Sequence, residues 1–97
     1  MNTREYYLQK VVEECNEIGQ AISKIMIFGP ESWHPETGVR NIDHLVDELN
    51  NLQAAVECLR KDGLELPGLH NLAAIMRHEE KIKKFLGVAR SLGNVVD

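Results

Sequence analysis

The fold is decided by residues 8–25, LQKVVEECNEIGQAISKI. Apolar residues recur in this stretch at alternating intervals of three and four, at Leu8, Val11, Cys15, Ile18, Ile22 and Ile25. Because this spacing follows the 3.6-residue turn of an α-helix, it predicts one long helix with a single apolar stripe. Asn2 or Thr3 is expected to cap its start. The Gly29-Pro30 step is expected to end it near Phe28.

A second stripe with the same spacing follows the segment from Gly29 to Arg40. Its apolar positions are Ile42, Leu45, Leu49, Leu52, Val56 and Leu59. Asn41 is expected to be the N-cap of this second helix, and Gly63 its left-handed stop. The segment between the two helices is about a dozen residues long, near the upper end for a compact domain, so it is a candidate functional loop.

A short link, residues 64–69, leads to a third helix that begins between Pro67 and Asn71 and ends near Gly93. Its apolar positions are Leu72, Ile75, Ile82, Leu86 and Ala89. No strand-like alternation occurs, so the fold class is predicted as all-α: an antiparallel helical bundle of three main helices, the third packed on the first two. We expect a single domain over residues 1–97, with 94–97 as a frayed tail.

Composition limits the classes of function. The chain has 97 residues, of which 43% are hydrophobic and 27% charged, as in one small globular domain. A net charge of -4 argues against a nucleic-acid partner. We expect no membrane span and no secretory signal, hence a cytoplasmic protein in which Cys15 and Cys58 are free, buried thiols. Partly open apolar seams in so small a bundle predict completion by homo-oligomerisation.

Two pairs of polar residues repeat the spacing of one helical turn. Glu14 and Glu17 form the first pair, and Glu48 and Asn51 the second. Each residue directly precedes a member of an apolar stripe, so the pairs are expected to converge along one edge of the helix pair. Converging carboxylates repel one another unless a divalent cation binds, and oxygen ligands favour Mg²⁺. The alternative is ordinary solvated surface charge.

The two pairs belong to a wider resemblance. Glu14-x-x-Glu17 followed by Glu48-x-x-Asn51 resembles the Glu-x-x-Glu and Glu-x-x-Asp signature of the all-α nucleoside triphosphate pyrophosphohydrolases, the MazG-like proteins. Further stretches look like the short MazG-like proteins of bacteriophages and bacteria: Glu14–Glu17, Ala21–Lys24, Phe28–Pro30, His34–Gly38, Asn41, Lys81-x-x-Lys84-Phe85 and Ser91–Gly93. The resemblance extends from about Val11 to Gly93.

The resemblance implies a MazG-like helical fold that assembles as a homodimer or homotetramer. It also implies Mg²⁺-dependent cleavage of a ribo- or deoxyribonucleoside triphosphate between its α and β phosphates, with Mn²⁺ as a substitute cation. Glu14, Glu17 and Glu48 match the metal-binding and catalytic glutamates. Asn51 stands where the family has aspartate, and an amide lends a carbonyl oxygen but no charge. Either metal affinity is weakened, or Asp47, one turn earlier, partly replaces the missing carboxylate.

Other residues are candidates for substrate binding. Lys24 lies two turns beyond Glu17, and Lys81 and Lys84 lie one turn apart on the third helix, where they are expected to neutralise phosphate oxygens. Trp33 and Tyr7 are expected to stack on a base. Solvated lysines and ordinary hydrophobic cover are the alternatives. His44, one turn before Glu48, is interpreted as a partly exposed histidine rather than a zinc ligand.

Two other classes of function stay open beside the hydrolase. One is a catalytically impaired MazG-like protein that binds nucleotide or metal and acts as a regulator, for which Asn51 is the main support. The other is a purely structural helical module, in which the acidic pairs have no role.

Overall fold

A computed structural model describes residues 1–97, which form three helices and no strand. The helices are α1 (Thr3–Phe28), α2 (Asn41–Lys61) and α3 (Leu72–Ser91). The predicted all-α class is therefore confirmed. The chain divides into two compact units, Met1–Glu65 and Leu66–Asp97. None of the helices has both the length and the apolar character that crossing a membrane requires.

Helix α1 begins and ends as the sequence predicts. The Asn2 side chain accepts a hydrogen bond from the Glu5 N–H (2.8 Å), and the Glu5 carboxylate accepts one from the Asn2 N–H (3.4 Å). This reciprocal capping box satisfies two of the free donors at the helix start. At the other end Gly29 has a φ of 89° and donates its N–H to the Ile25 carbonyl. A positive φ at this position favours glycine.

The expected N-cap of α2 is wrong. Arg40 precedes the helix without a side-chain capping bond, and Asn41 is its first helical residue. The Asn41 amide is buried and donates from Nδ2 to the Gly29 carbonyl at 3.0 Å. The side chain thus ties the start of α2 to the end of α1 instead of capping its own helix. The expected stop at Gly63 is confirmed by a φ of 95° two residues after Lys61.

Helices α1 and α2 pack against each other in antiparallel directions. Arg4, near the start of α1, pairs with Asp62, just past the end of α2, at 3.3 Å. The residues buried in this first unit are few and include two carboxylates and an amide: Glu14, Ala21, Asn41, Glu48, Ala55 and Leu59. Because alanine side chains are short, the two helix axes can approach closely at these positions.

Five of the six buried residues lie one position before a member of the predicted apolar stripes, and the sixth, Leu59, belongs to a stripe. Glu14 and Ala21 are buried, whereas Cys15 and Ile22, the stripe positions that follow them, are exposed. Leu49, which follows Glu48, is likewise 48% exposed. The expectation of a buried Cys15 is therefore wrong, and Cys58 is half-buried. The acidic residues lie within the helix–helix interface and not at its edge, which leaves much of the apolar stripe open to solvent.

The loop between α1 and α2 folds back onto the start of α2. His34 donates its N–H to the Val39 carbonyl (3.0 Å), and Gly38 donates to the His34 carbonyl (2.8 Å). The Asn41 N–H reaches the Ser32 carbonyl (2.8 Å), which closes the loop at its base. These backbone bonds give the segment a defined shape that can position side chains.

The second unit, Leu66–Asp97, contains α3. Asn71 caps this helix by accepting a hydrogen bond from the Ala74 N–H at 2.9 Å. The helix starts at Leu72 and ends at Ser91, which agrees with the predicted start and end. No residue of α3 is buried, and Ile82 on its apolar side is 59% exposed. Packing of this helix within a three-helix bundle stays a prediction.

Candidate metal centre

Three glutamates from two helices converge on one point. Glu14 and Glu17 lie one turn apart on α1, and the antiparallel α2 brings Glu48 beside them. One carboxylate oxygen from each lies within 4.8 Å of the others. Glu14 and Glu48 are buried and Glu17 is half-buried. We call these three residues the carboxylate cluster.

Two oxygens of the carboxylate cluster have no hydrogen-bond donor in the protein. Glu14 Oε2 and Glu48 Oε2 are both buried and both unpartnered. Only the other oxygen of Glu48 is engaged, by His44 Nε2 at 3.1 Å. A buried acceptor without a donor costs free energy, and a buried charge costs more. The cluster can therefore be satisfied by protons that its members share, by water or by a bound cation.

The electrostatics of the cluster favour shared protons when no cation is present. Burial and the neighbouring Glu48 raise the pKa of Glu14 above its usual value. A hydrogen bond shared with Glu48 and the charge of that residue raise the pKa of Glu17. Burial alone would raise the pKa of Glu48, but hydrogen bonds from Glu17, Glu14 and His44 lower it. The ionised form of Glu48 is thus favoured, and the ionised forms of Glu14 and Glu17 are disfavoured.

The donor set fits a hard divalent cation. Carboxylate oxygens are the ligands that Mg²⁺ and Mn²⁺ take in proteins, and Mg²⁺ commonly keeps several waters besides one or two carboxylates. The two unpartnered oxygens, Glu14 Oε2 and Glu48 Oε2, lie on different helices. An ion that binds both would replace the shared protons and hold α1 and α2 together. His44 would then orient Glu48 through its hydrogen bond.

A groove of about 280 Å³ adjoins the cluster on the side of the α1 N-terminus. Glu14 is part of its wall, and its other lining residues include Tyr6, Tyr7, Lys10 and Asn51. Tyr7, predicted to stack on a base, is half-buried there. Asn51, the predicted fourth metal ligand, is exposed and lines the same groove as Glu14.

A second pocket of about 300 Å³ lies on the opposite side of the cluster, next to the loop. It is lined by Lys24, His34, Thr37, Val39, Asn41, His44 and Asp47. His44 connects this pocket to the cluster because its ring also bonds Glu48. Asp47, predicted to compensate for Asn51, is exposed in this pocket and is not one of the three clustered carboxylates.

The remaining predicted residues have varied surroundings. Lys24 is half-buried in the loop-side pocket, and His44 is partly exposed, as predicted. Trp33 is 67% exposed on the loop, where its backbone pairs with Arg40. Lys81 and Lys84 are exposed on α3, and the Lys84 ammonium lies 6.0 Å from the centre of the Phe85 ring.

Sequence reasoning did not assign a role to His34 or Thr37. Both belong to the His34–Gly38 stretch that contributed to the resemblance, and the length of the loop was the only other signal. No protein-family model, curated protein or solved structure matches this chain.

Proposed function

We propose that this protein is a Mg²⁺-dependent nucleoside triphosphate pyrophosphohydrolase, with Glu14, Glu17 and Glu48 as the metal ligands. The observation that carries the proposal is the pair of buried, unpartnered carboxylate oxygens on Glu14 and Glu48, within a three-glutamate cluster. The resemblance of the sequence to MazG-like proteins supports the choice of reaction. Mn²⁺ is the expected substitute cation.

The proposed reaction is hydrolysis of the bond between the α and β phosphates. A bound Mg²⁺ supplies charge stabilisation for phosphate oxygens and a lowered pKa for a bound water. The water oxygen attacks the α-phosphorus, the bond from that phosphorus to the bridging oxygen breaks, and pyrophosphate leaves. A carboxylate of the cluster takes the proton of the water. Glu17 suits this role because it is the least buried of the three carboxylates, so a water molecule can reach it most readily.

The surroundings of the cluster offer separate sites for the two ends of the substrate. The groove beside Glu14 presents the ring of Tyr7, on which a base would stack. The pocket on the other side presents Lys24, a cation for phosphate oxygens. Lys81, Lys84 and Trp33 stay candidates for further substrate contacts.

The test is incubation of the protein with Mg²⁺ and a panel of ribo- and deoxyribonucleoside triphosphates. We expect equal amounts of monophosphate and pyrophosphate, and no release when EDTA removes the cation. Release of inorganic phosphate with a diphosphate instead would contradict the assigned bond. If folded, Mg²⁺-loaded protein releases neither product from any nucleotide, the proposed hydrolase is wrong. The alternative, a nucleotide- or metal-binding protein without turnover, would then be favoured.

Asn51→Asp is expected to raise Mg²⁺ affinity by about 30-fold and to increase turnover. The added charge corresponds to about 2 kcal/mol if the exposed carboxylate lies about 4 Å from the divalent cation in water. The measurement is the Mg²⁺ dependence of pyrophosphate release, with Asn50→Asp as the matched control because Asn50 is exposed on α2 and does not line the groove. Equal affinity and turnover in wild type and Asn51→Asp would show that the amide is immaterial.

We also propose that copies of the chain associate as a homodimer or homotetramer. Several apolar residues of α1 and α2 stay about half exposed although they belong to the apolar stripes: Leu8 (44%), Ile22 (45%) and Leu49 (48%). Helix α3 has no buried residue and exposes Ile75, Ile82 and Phe85 by more than half. Exposed apolar stripes of this kind are covered most simply by the same surfaces of a second copy.

Ile82→Glu is expected to weaken self-association by at least about 100-fold, since a carboxylate on an apolar contact surface costs several kcal/mol when covered. Light scattering during size-exclusion chromatography, over a series of concentrations, measures the change. Val96→Glu is the control, because Val96 is 85% exposed outside the helices. A wild-type chain that stays monomeric at high concentration would contradict the proposed assembly.

A further inference from the structure

The pocket on the loop side of the cluster presents hydrogen-bond donors on side chains that bond to the loop backbone. His34 Nδ1 accepts the Glu36 N–H at 3.1 Å. This nitrogen therefore carries no proton in the neutral ring, and Nε2–H is the donor that stays free. The backbone of the loop thus fixes the tautomer of His34.

Thr37 is held in the same way. Its Oγ1 accepts the Val39 N–H at 3.3 Å, so the hydroxyl hydrogen is free to donate to another group. In both side chains, one atom accepts a hydrogen bond from the backbone of the loop. A donor hydrogen of each side chain stays available for a ligand. Both line the same pocket.

Lys24 adds a cation to these donors. It is half-buried and forms no ion pair within 4.0 Å, although Asp47 lines the same pocket. Lys24 and Asp47 have opposite formal charges, so recognition in this pocket depends on directed donors as well as on charge. A ligand rich in acceptor oxygens matches them.

The size and position of the pocket limit the ligand further. About 300 Å³ is at the lower end for ligand sites, which suits a small polar group better than a whole nucleotide. His44 lines the pocket and bonds Glu48, so a group bound there lies next to the carboxylate cluster. The aromatic groove with Tyr7 lies on the other side.

We propose that Lys24, His34 and Thr37 form the subsite for the pyrophosphate group, the β and γ phosphates of the substrate. This assignment rests on the proposed pyrophosphohydrolase function. It adds the loop residues His34 and Thr37 to the substrate-binding residues and gives the substrate a direction: phosphates toward the loop, nucleoside toward Tyr7.

The test measures binding of inorganic pyrophosphate by calorimetry, with Mg²⁺ in molar excess over pyrophosphate. Lys24→Met removes the ammonium and keeps the aliphatic stem. His34→Asn removes the Nε2–H donor, while the asparagine oxygen can still accept the Glu36 N–H in an Asx turn. Each variant is expected to weaken pyrophosphate binding by about 10- to 100-fold, the usual effect of losing a hydrogen bond to a charged group.

Two controls separate this effect from a general loss of structure. Lys61→Met removes an exposed lysine of α2 that does not line the pocket, and should bind pyrophosphate like the wild type. A nucleoside monophosphate with Mg²⁺ should bind Lys24→Met, His34→Asn and the wild type equally. Equal loss of monophosphate and pyrophosphate binding would overturn the subsite.

Failure of the subsite and failure of the hydrolase give different results. If Lys24→Met and His34→Asn bind pyrophosphate like the wild type, or if the wild type does not bind it, the subsite is overturned even when triphosphates are hydrolysed. If both variants lose pyrophosphate binding while no triphosphate is hydrolysed, the anion subsite is supported and the proposed reaction is wrong.

Discussion

Glu48→Gln is expected to lower the rate of nucleoside triphosphate hydrolysis by about 1000-fold or more, which corresponds to several kcal/mol of lost transition-state stabilisation. Glu48 is the only member of the carboxylate cluster on α2, and its pKa is lowered, so it carries the charge most readily. Glutamine has almost the same shape, but its amide can lend only one neutral carbonyl oxygen in place of a charged carboxylate. Pyrophosphate release at saturating Mg²⁺ measures the loss.

Glu13→Gln is the matched control for this change. Glu13 is exposed, precedes Glu14 directly, and pairs only with Lys10 at the surface. An exposed pair of this kind contributes about 0–1 kcal/mol, so the control should keep wild-type activity and Mg²⁺ dependence. Circular dichroism of both variants establishes that they are helical. A folded Glu48→Gln protein with undiminished hydrolysis would remove Glu48 from the catalytic site.

The helices could be predicted from the sequence because their signals are local. The alternating three- and four-residue spacing indicates α1, α2 and α3, and capping residues such as Asn2 and Asn71 mark where helices begin. Gly29 and Gly63 mark where they end, since both have positive φ angles. Each of these signals depends on a few neighbouring residues and on nothing distant in the chain.

The packing face could not be predicted in the same way. Two helical faces lie side by side, about 100° apart around the helix axis: the apolar stripe that includes Ile22, and the face one residue earlier that includes Ala21. Apolar residues are normally buried and glutamates normally exposed, so pattern reasoning selects the first face. The structure buries mainly the second face, and of the apolar stripes it buries only Leu59. A signal was present, because an alanine follows Glu14 and Glu48 at the same interval, at Ala21 and Ala55.

The loop-side pocket depends on contacts between distant residues. Asn41 bonds Gly29 twelve residues earlier, and Ile42 donates its N–H to the Pro30 carbonyl at 3.0 Å. These bonds fold the loop onto α2 and place His34 near His44 in one pocket. Nothing in the local sequence around His34 specifies that neighbour. The sequence indicated a long loop of functional interest. Which of its side chains line the pocket depends on how the loop folds back onto α2.

Mg²⁺ is expected to raise the melting temperature by about 10 °C or more when present at about 100 times its dissociation constant. Binding to the folded state at that concentration adds about 2.7 kcal/mol of stability, and in a domain of this size 1 kcal/mol shifts the melting temperature by roughly 4–8 °C. The physical reason is the pair of buried, unpartnered oxygens on Glu14 and Glu48, which a cation satisfies. Thermal denaturation monitored by circular dichroism, with Mg²⁺ or with EDTA, measures the shift.

Glu14→Gln is expected to raise the melting temperature of the cation-free protein and to remove most of the stabilisation by Mg²⁺. Folding raises the pKa of Glu14 above its ordinary value of 4.5, so the folded protein binds a proton at this residue more tightly than the unfolded chain does. The contribution of Glu14 therefore lowers stability as pH rises above about 4.5, because the carboxylate must then ionise in a buried site. Glu17 acts in the same direction and Glu48 in the opposite one, since its pKa is lowered. A neutral glutamine removes the contribution of Glu14.

In EDTA near neutral pH, Glu14→Gln should thus melt at a higher temperature than the wild type, and the difference should shrink toward pH 4.5. In Mg²⁺ the wild type should melt at the higher temperature, because the variant lacks a metal ligand and is stabilised little by the cation. Glu13→Gln should follow the wild type in both conditions. A Glu14→Gln protein that is less stable than the wild type in EDTA would show that Glu14 stabilises the fold. The cluster would then be structural, since a site that evolved for a cation is expected to be destabilising without one.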